Sequence, residues 1–245
     1  MPKKKNIENS NTNNSNLFVI LLIILAFFTG YLFFKVQNLE KGKTAETNGK
    51  KEAAQEQQAQ QPELNLKLVP KVTNKDHIRG NLNADILLVE YSDFECPFCK
   101  PFQLTMQQIM KDYGNKVAWI YRHYPLSFHT KAQGTAEASE CVAEIAGNDA
   151  FWKFSDLVFE RMPDLELSQL PDLVSELGYD VTKFNKCLNS QKYKNLVTKQ
   201  LEEGTKAGIQ GTPGTVIITK SGKRDLIGGA LPIDQVKAQI DALLK

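Results

Sequence analysis

The sequence predicts an α/β protein whose sheet is interrupted by a helical segment, preceded by one N-terminal transmembrane helix. Three observations lead to this prediction. An uncharged apolar run lies near the N-terminus, strand-like and helix-like patterns alternate from about residue 85, and helical patterns alone then occupy a long stretch. The predicted segments are a tail (1–16), a transmembrane anchor (17–35), a flexible polar linker (36–65) and a folded domain (66–245) with a helical insertion at about 128–208.

The composition allows one substantial folded domain and excludes a wholly disordered chain. Of the 245 residues, 42% are hydrophobic and 24% are charged. The formal net charge is only +2, because 30 Lys and Arg are interspersed with 28 Asp and Glu. A nucleic-acid-binding surface requires clustered positive charge. We therefore expect no nucleic-acid partner.

The apolar run at 17–34 is eighteen residues long and carries no charge, which is long enough for a helix to cross a bilayer. Lysines at positions 3–5 precede it, but no small-residue cleavage site follows, so we predict an uncleaved anchor in membrane lipid. The alternative is a buried core helix, which the flanking polar tracts disfavour. The flanking positive charges nearly balance and only weakly favour a domain outside the membrane. The linker is rich in Gln, Glu, Lys and Ala and is predicted to be a solvated tether.

The folded domain opens with a predicted strand, helix and strand. Residues 85–91 form a nearly continuous apolar run, interrupted by Glu90, that is typical of a strand buried on both faces. Pro97 is predicted to be the first residue of a helix, and a second apolar strand follows at 117–121. This order favours two parallel strands joined by a right-handed crossover.

The second half of the domain returns to the sheet after a helical block. Residues 131–207 show helical apolar spacing and predict four or five helices. Strands at 215–219 and 225–227 then flank a Ser221-Gly222 turn and predict an antiparallel pair, followed by an amphipathic helix. Trp119 and Trp152 are predicted to be core residues.

Cys96 and Cys99 lie where the first strand meets its helix. A Cys pair with this spacing can provide half of a metal site, form an inert structural pair, or form a disulfide that opens and closes. A tetrahedral zinc site requires two further ligands in suitable spacing. The remaining candidate ligands are isolated from one another in the sequence: Cys141, Cys187, His77, His123 and His129. We therefore expect that Cys96 and Cys99 form a redox-active disulfide and that the protein binds no metal or cofactor.

The two thiols are predicted to have different roles. Cys96, expected one step outside the helix and nearer solvent, is the attacking thiol, because the helix N-terminus stabilises its anion and lowers its pKa below about 8.5. Cys99, expected to be more buried in the first turn, attacks the mixed disulfide or closes the ring. Phe98 between them contributes apolar surface and no charge.

The segment 89–99, Val-Glu-Tyr-Ser-Asp-Phe-Glu-Cys-Pro-Phe-Cys, resembles the active-site segment of the DsbA-like thiol-disulfide oxidoreductases. Three further segments are similar to the same family: the lead-in at 77–81, the strand end at 122–125 and the loop at 211–215. Together they extend the resemblance over about 75–245. It implies a thioredoxin-like fold with an inserted helical domain, which agrees with the predicted order of strands and helices.

The resemblance also implies roles for residues outside the Cys pair. Thr212-Pro213 is expected to be a cis peptide facing the pair, where its backbone can bind a substrate chain; the alternative is an ordinary turn proline. Glu90 is expected to be a buried acid that moves protons to and from the more buried thiol; the alternative is an acid at a strand end that reaches solvent. Cys141 and Cys187 are either separate buried thiols or, slightly favoured, a structural disulfide.

The activity that the resemblance implies is that of a protein disulfide oxidoreductase in the cell membrane, with an extracytoplasmic catalytic domain. Its substrates would be reduced exported proteins, and a DsbB-like or VKOR-like membrane oxidase would reoxidise it. The best-known oxidants of the family carry His where this chain has Phe98. We therefore expect a potential of about −180 mV instead of the extreme of about −120 mV. The alternatives are a reductase or isomerase that uses the same Cys pair and a non-catalytic peptide-binding module.

Overall fold

The computed structural model describes residues 63–244. The predicted tail, transmembrane anchor and nearly all of the linker lie outside the described residues. Among residues 63–244, no helix combines the length and the apolar character required to cross a membrane.

A five-stranded mixed sheet forms the centre of the domain, with the strand order β1-β3-β2-β4-β5. Strands β2 and β3 are parallel, as predicted, whereas β4 is antiparallel to both β2 and β5. The strands are β1 (His77–Arg79), β2 (Ile86–Ser92), β3 (Val117–His123), β4 (Gly214–Thr219) and β5 (Arg224–Gly228).

Seven α-helices surround the sheet in the described part of the chain. Five of them, α2 to α6, lie between β3 and β4 in sequence and form the predicted helical insertion. The helices are α1 (Cys99–Tyr113), α2 (Ala132–Ala146), α3 (Asn148–Arg161), α4 (Leu170–Glu176), α5 (Val181–Asn189), α6 (Lys194–Lys206) and α7 (Ile233–Leu243). The mixed α/β fold with a helical insertion is thus confirmed.

Both faces of the sheet are buried, which explains the apolar run in β2. Leu88 belongs to one apolar cluster, which also contains Trp119 and residues of α1 and of the helical insertion. Val89 faces the other cluster, which includes Ile120 and Val216. Because successive side chains of a strand point to opposite faces, Glu90 and Ser92 lie on the same face as Leu88, toward α1.

Two predictions about local structure are wrong. The segment at 77–81, interpreted only as a lead-in, contains strand β1, which pairs antiparallel with β3. Helix α1 begins at Cys99 and not at Pro97, so Cys96 lies three residues before the helix. The reason is a tight turn in which the Cys99 N–H donates to the Cys96 carbonyl oxygen at 3.1 Å, ahead of the first full helical turn.

Candidate active site

The turn between β2 and α1 holds the two thiols side by side. Both are free cysteines in the structure, with Cys96 4% exposed and Cys99 fully buried. Phe98, between them, is 64% exposed. The turn thus presents one aromatic side chain to solvent and keeps both sulfur atoms largely covered.

The two thiols differ strongly in acidity. A hydrogen bond with the Cys99 thiol lowers the pKa of Cys96 most, and burial opposes this effect. The Thr212 side chain and the backbone N–H groups of Cys99 and Phe98 lower the pKa further, to about 5. Burial raises the pKa of Cys99 well above the ordinary thiol value, and the hydrogen bond to Cys96 raises it further. Sequence reasoning anticipated the backbone contribution but not the larger one from the neighbouring thiol.

The acidity of Cys96 gives a direct prediction. In the reduced protein, the ultraviolet absorbance of the thiolate should titrate with a midpoint near pH 5, and Cys96→Ala should remove this transition. Folding lowers the pKa of Cys96 from its value in the unfolded chain, about 8.5. The thiolate therefore stabilises the folded reduced protein fully at pH values above about 8.5, and this stabilisation disappears as the pH falls through about 5. A midpoint at the ordinary thiol value would contradict the prediction.

The loop before β4 faces the Cys pair. The Thr212-Pro213 peptide is cis, and the Cys96 thiol donates a hydrogen bond to the Thr212 carbonyl oxygen at 3.3 Å. A cleft of about 420 Å³ adjoins this loop; among its lining residues are Leu64, Leu226 and Gly229. Cys96 therefore lies beside a partly apolar cleft.

Glu90 lies within the sheet and has no exposed surface. Its Oε2 accepts a hydrogen bond from the indole N–H of Trp119 at 2.8 Å. Burial raises the pKa of Glu90 to about 7, although the nearby Ser92 hydroxyl and the hydrogen bond from Trp119 oppose this rise. An acid that reaches solvent from the strand end is therefore excluded. Trp119 has a role beyond the core, which its place in an apolar strand did not reveal.

The helical insertion carries a disulfide bond between Cys141 of α2 and Cys187 of α5. The two residues are separated by 46 positions in the sequence. The bridge connects two helices that also contribute to the main apolar cluster, and it is separate from the free pair at Cys96 and Cys99.

The three histidines all have acidic partners that the sequence did not reveal. His77 and His123 each lie 2.9 Å from Glu140 Oε1, and His129 Nδ1 lies 2.7 Å from Asp93 Oδ2. Burial raises the pKa of Glu140, but hydrogen bonds with His123 and His77 outweigh it and lower the pKa to about 2. Each histidine and its acidic partner are between 17 and 63 residues apart in the sequence, so no short sequence pattern indicates the pairing.

His77, His123 and Glu140 bring three groups that could bind a metal ion close together. Within residues 63–244, this is the one group of three such side chains whose ligand atoms lie within 4.8 Å of one another. A histidine that binds a metal normally donates its other ring N–H to a partner. His123 Nδ1 is buried and has no such partner. The geometry therefore fits a hydrogen-bonded carboxylate–histidine cluster better than a metal centre.

Comparisons with known proteins agree with this fold. The family model Thioredoxin_4, described as Thioredoxin, matches residues 72–242. Oxidised BdbD from Bacillus subtilis is 27% identical with a TM-score of 0.60, over 69% of this chain and 92% of that one. DsbA2 from Pseudomonas aeruginosa is 24% identical with a TM-score of 0.58, over 71% and 97%.

Curated relatives include much longer proteins. The Na(+)/H(+) antiporter NhaA of Herminiimonas arsenicoxydans is 32% identical over 196 residues, which cover 80% of this chain and 28% of the antiporter. The antiporter NhaA 1 of Mycolicibacterium vanbaalenii is 28% identical over 84% of this chain and 31% of its own length. The chain thus spans less than a third of these relatives. Because the family model covers most of the chain, the chain belongs to the Thioredoxin_4 family, and its described domain has the thioredoxin-like fold of the BdbD and DsbA2 structures.

Proposed function

We propose that this chain is a membrane-anchored, extracytoplasmic enzyme that introduces disulfide bonds into exported proteins through Cys96 and Cys99. The observation that carries the proposal is the placement of the free Cys96 and Cys99 pair at the Thr212-Pro213 loop, where Cys96 contacts the Thr212 carbonyl oxygen; the unequal acidity of the two thiols supports it. At neutral pH, Cys96 is a thiolate in the reduced enzyme. A stabilised thiolate favours the reduced form, which makes the corresponding disulfide a better oxidant.

The exchange proceeds in two steps. A thiolate of the substrate attacks Cys96 Sγ, the Cys96–Cys99 bond breaks, and Cys99 leaves with the electron pair and takes up a proton. A second substrate thiolate then attacks the substrate sulfur of the mixed disulfide and releases Cys96 as its stabilised thiolate. The substrate is oxidised by two electrons and the enzyme is reduced to its dithiol.

The cleft beside Pro213 is the proposed site for the substrate chain. Gly208–Gly214 form one side of it, and the Cys96 thiol already contacts the Thr212 carbonyl oxygen. A substrate segment in extended conformation would pair with the backbone of this loop and place its own sulfur next to Cys96. The partly apolar lining suits the exposed apolar side chains of a protein that has not finished folding.

The proposed location rests on the sequence of the N-terminal region and on the second Cys pair. Residues 17–34 have the length and composition of a membrane span, and 36–65 the composition of a tether. The Cys141–Cys187 bridge suits an oxidising compartment outside the cytoplasm. Reoxidation of Cys96 and Cys99 is assigned to a DsbB-like or VKOR-like membrane oxidase.

The direction of electron flow is tested by the redox potential of the Cys96–Cys99 pair. The full chain is equilibrated with glutathione buffers, quenched by alkylation, and the peptide that contains both cysteines is quantified by mass spectrometry. We expect a value near about −180 mV, because the thiolate is stabilised but Phe98 supplies no charge. A value near the −270 mV or so of thioredoxin would contradict an oxidase.

A measurement in cells complements the potential. Alkylation of intact cells should trap Cys96 and Cys99 mainly as a disulfide, with the Cys141–Cys187 peptide pair as an internal control for a bridge that does not turn over. A pair found mainly as dithiol would instead support a reductase or isomerase that uses the same residues.

A further inference from the structure

A group of buried oxygen atoms lies on the α1 side of the sheet, beneath Cys99. Glu90 and Ser92 are two residues apart in β2 and therefore lie on the same face of the sheet. The residue paired with Glu90 is Tyr121 in β3 and Thr215 in β4. Each of the four has a buried oxygen without a hydrogen-bond partner among the described residues: Glu90 Oε1, Ser92 Oγ, Tyr121 OH and Thr215 Oγ1. Unpaired buried polar atoms are costly, so their concentration at one point requires an explanation.

Ser92 is the member of this group that adjoins both proton-exchanging groups of the site. Its hydroxyl is not in full hydrogen-bonding geometry, yet it is close enough to lower the pKa of Glu90 and of Cys99. Catalytic hydrogen bonds are often long in an enzyme without substrate and tighten when the reaction proceeds. A hydroxyl can accept one proton while donating another, which a relay requires.

The other two hydroxyls are less suited to this task. Tyr121 is not among the groups whose hydrogen bonds act on Glu90 or on Cys99, so it does not connect the two. Thr215 lies opposite Glu90 on β4 and is not among the main groups that shift the pKa of Cys99. Both remain available as hydrogen-bond donors that support the carboxylate.

We propose that the Ser92 hydroxyl carries the proton between the Glu90 carboxyl group and the Cys99 thiol during exchange. The proposal rests on the function proposed above and adds a residue to its chemistry. When the Cys96–Cys99 bond breaks, Cys99 leaves as a thiolate in a fully buried position. Ser92 donates its hydroxyl proton to Cys99 Sγ and accepts the Glu90 proton, which leaves a thiol, an intact hydroxyl and a carboxylate. Glu90 later regains a proton from solvent.

The physical reason for a relay is the burial of both ends. Burial raises the pKa of Cys99, so an unprotonated thiolate there is a poor leaving group. Glu90 has a pKa of about 7 and can release a proton near neutral pH. Glu90 and Cys99 are each fully buried, so direct exchange of the proton with solvent at the moment of bond breaking is blocked.

The test follows the reduction of the oxidised enzyme by dithiothreitol, with rates corrected for the thiolate fraction of the reagent. In the wild type, we expect the corrected rate to fall as the pH rises through about 7, because Glu90 loses the proton that it donates. Ser92→Ala should lower the rate about 10-fold at acid pH and flatten this pH dependence. Ser92→Gly, which removes the hydroxyl in a second way, should give the same flat profile.

Two variants provide controls. Ser92→Thr keeps the hydroxyl and should retain the pH dependence. Ser155→Ala removes an equally buried and unpartnered hydroxyl from α3 and should behave as the wild type. A wild-type rate and pH profile in Ser92→Ala overturns the relay, as does equal slowing by Ser92→Ala and Ser155→Ala. If the wild type itself exchanges no disulfide with dithiothreitol, the proposed function is wrong. If the wild type does exchange and the Ser92 variants have the same rate and pH profile as the wild type, only the relay is wrong.

Discussion

A Cys96→Ser variant is expected to lose thiol-disulfide exchange down to the uncatalysed rate. Cys96 is the more acidic thiol and the one that contacts Thr212 at the cleft, whereas Cys99 is fully buried and holds its proton. A serine hydroxyl in place of the thiol cannot form or break a disulfide under these conditions. The measurement is the rate at which a dithiol peptide is converted to its disulfide form by a catalytic amount of enzyme, with glutathione disulfide as the oxidant.

The matched variant is Cys99→Ser, which keeps the attacking sulfur. It should still attack a substrate disulfide, but it cannot resolve the product, so a mixed disulfide between Cys96 and the peptide should accumulate and be visible by mass spectrometry. Exchange at the wild-type rate in Cys96→Ser would refute the assigned roles. Retention of disulfide-forming function in cells by that variant would favour a peptide-binding module without redox chemistry.

The sequence allowed the sheet and the Cys pair to be predicted because both have local signals. The apolar run of β2 marks a strand buried on two faces, and the burial of Leu88 and Val89 against separate clusters explains it. The position of Cys96 and Cys99 between strand and helix followed from the same pattern. The start of α1 was misplaced by two residues, because a proline is compatible with both a first helical position and the tight turn found here.

The polar groups around the site could not be predicted, because they depend on contacts between distant segments. Trp119 meets Glu90 only because β2 and β3 are paired in a particular register. Glu140 meets His77 and His123 only because α2 packs against the end of the sheet where β1 joins β3. Strand β1 was itself missed, because three residues are too few to show an alternating pattern.

The acidity of the site illustrates how tertiary contacts adjust a motif. The sequence of the Cys pair predicts a lowered pKa for Cys96 from backbone N–H groups alone. In the folded domain, the larger contribution comes from the Cys99 thiol, which keeps its own proton because it is buried. The same burial that makes Cys99 a good hydrogen-bond donor makes it a poor thiolate, which is the reason for proposing that Glu90 supplies a proton to it.

Removing the bridge of the helical insertion should have the largest effect on stability. In a background where Cys96 and Cys99 are both alanine, Cys141→Ala with Cys187→Ala is expected to lower the free energy of unfolding by about 4 kcal/mol, as estimated for a bridge that closes a loop of this length. The bridge spans 46 residues of sequence and restricts the unfolded chain. Urea unfolding followed by circular dichroism gives the value.

The same background separates the bridge from the packing that surrounds it. The bridged protein treated with a phosphine reductant should unfold at the same urea concentration as the double alanine variant, because both lack the crosslink. Val142 and Phe184, buried neighbours on α2 and α5, remain in place in either case. A loss below about 1 kcal/mol would mean that packing between these helices holds the insertion together and that the crosslink adds little to the native domain.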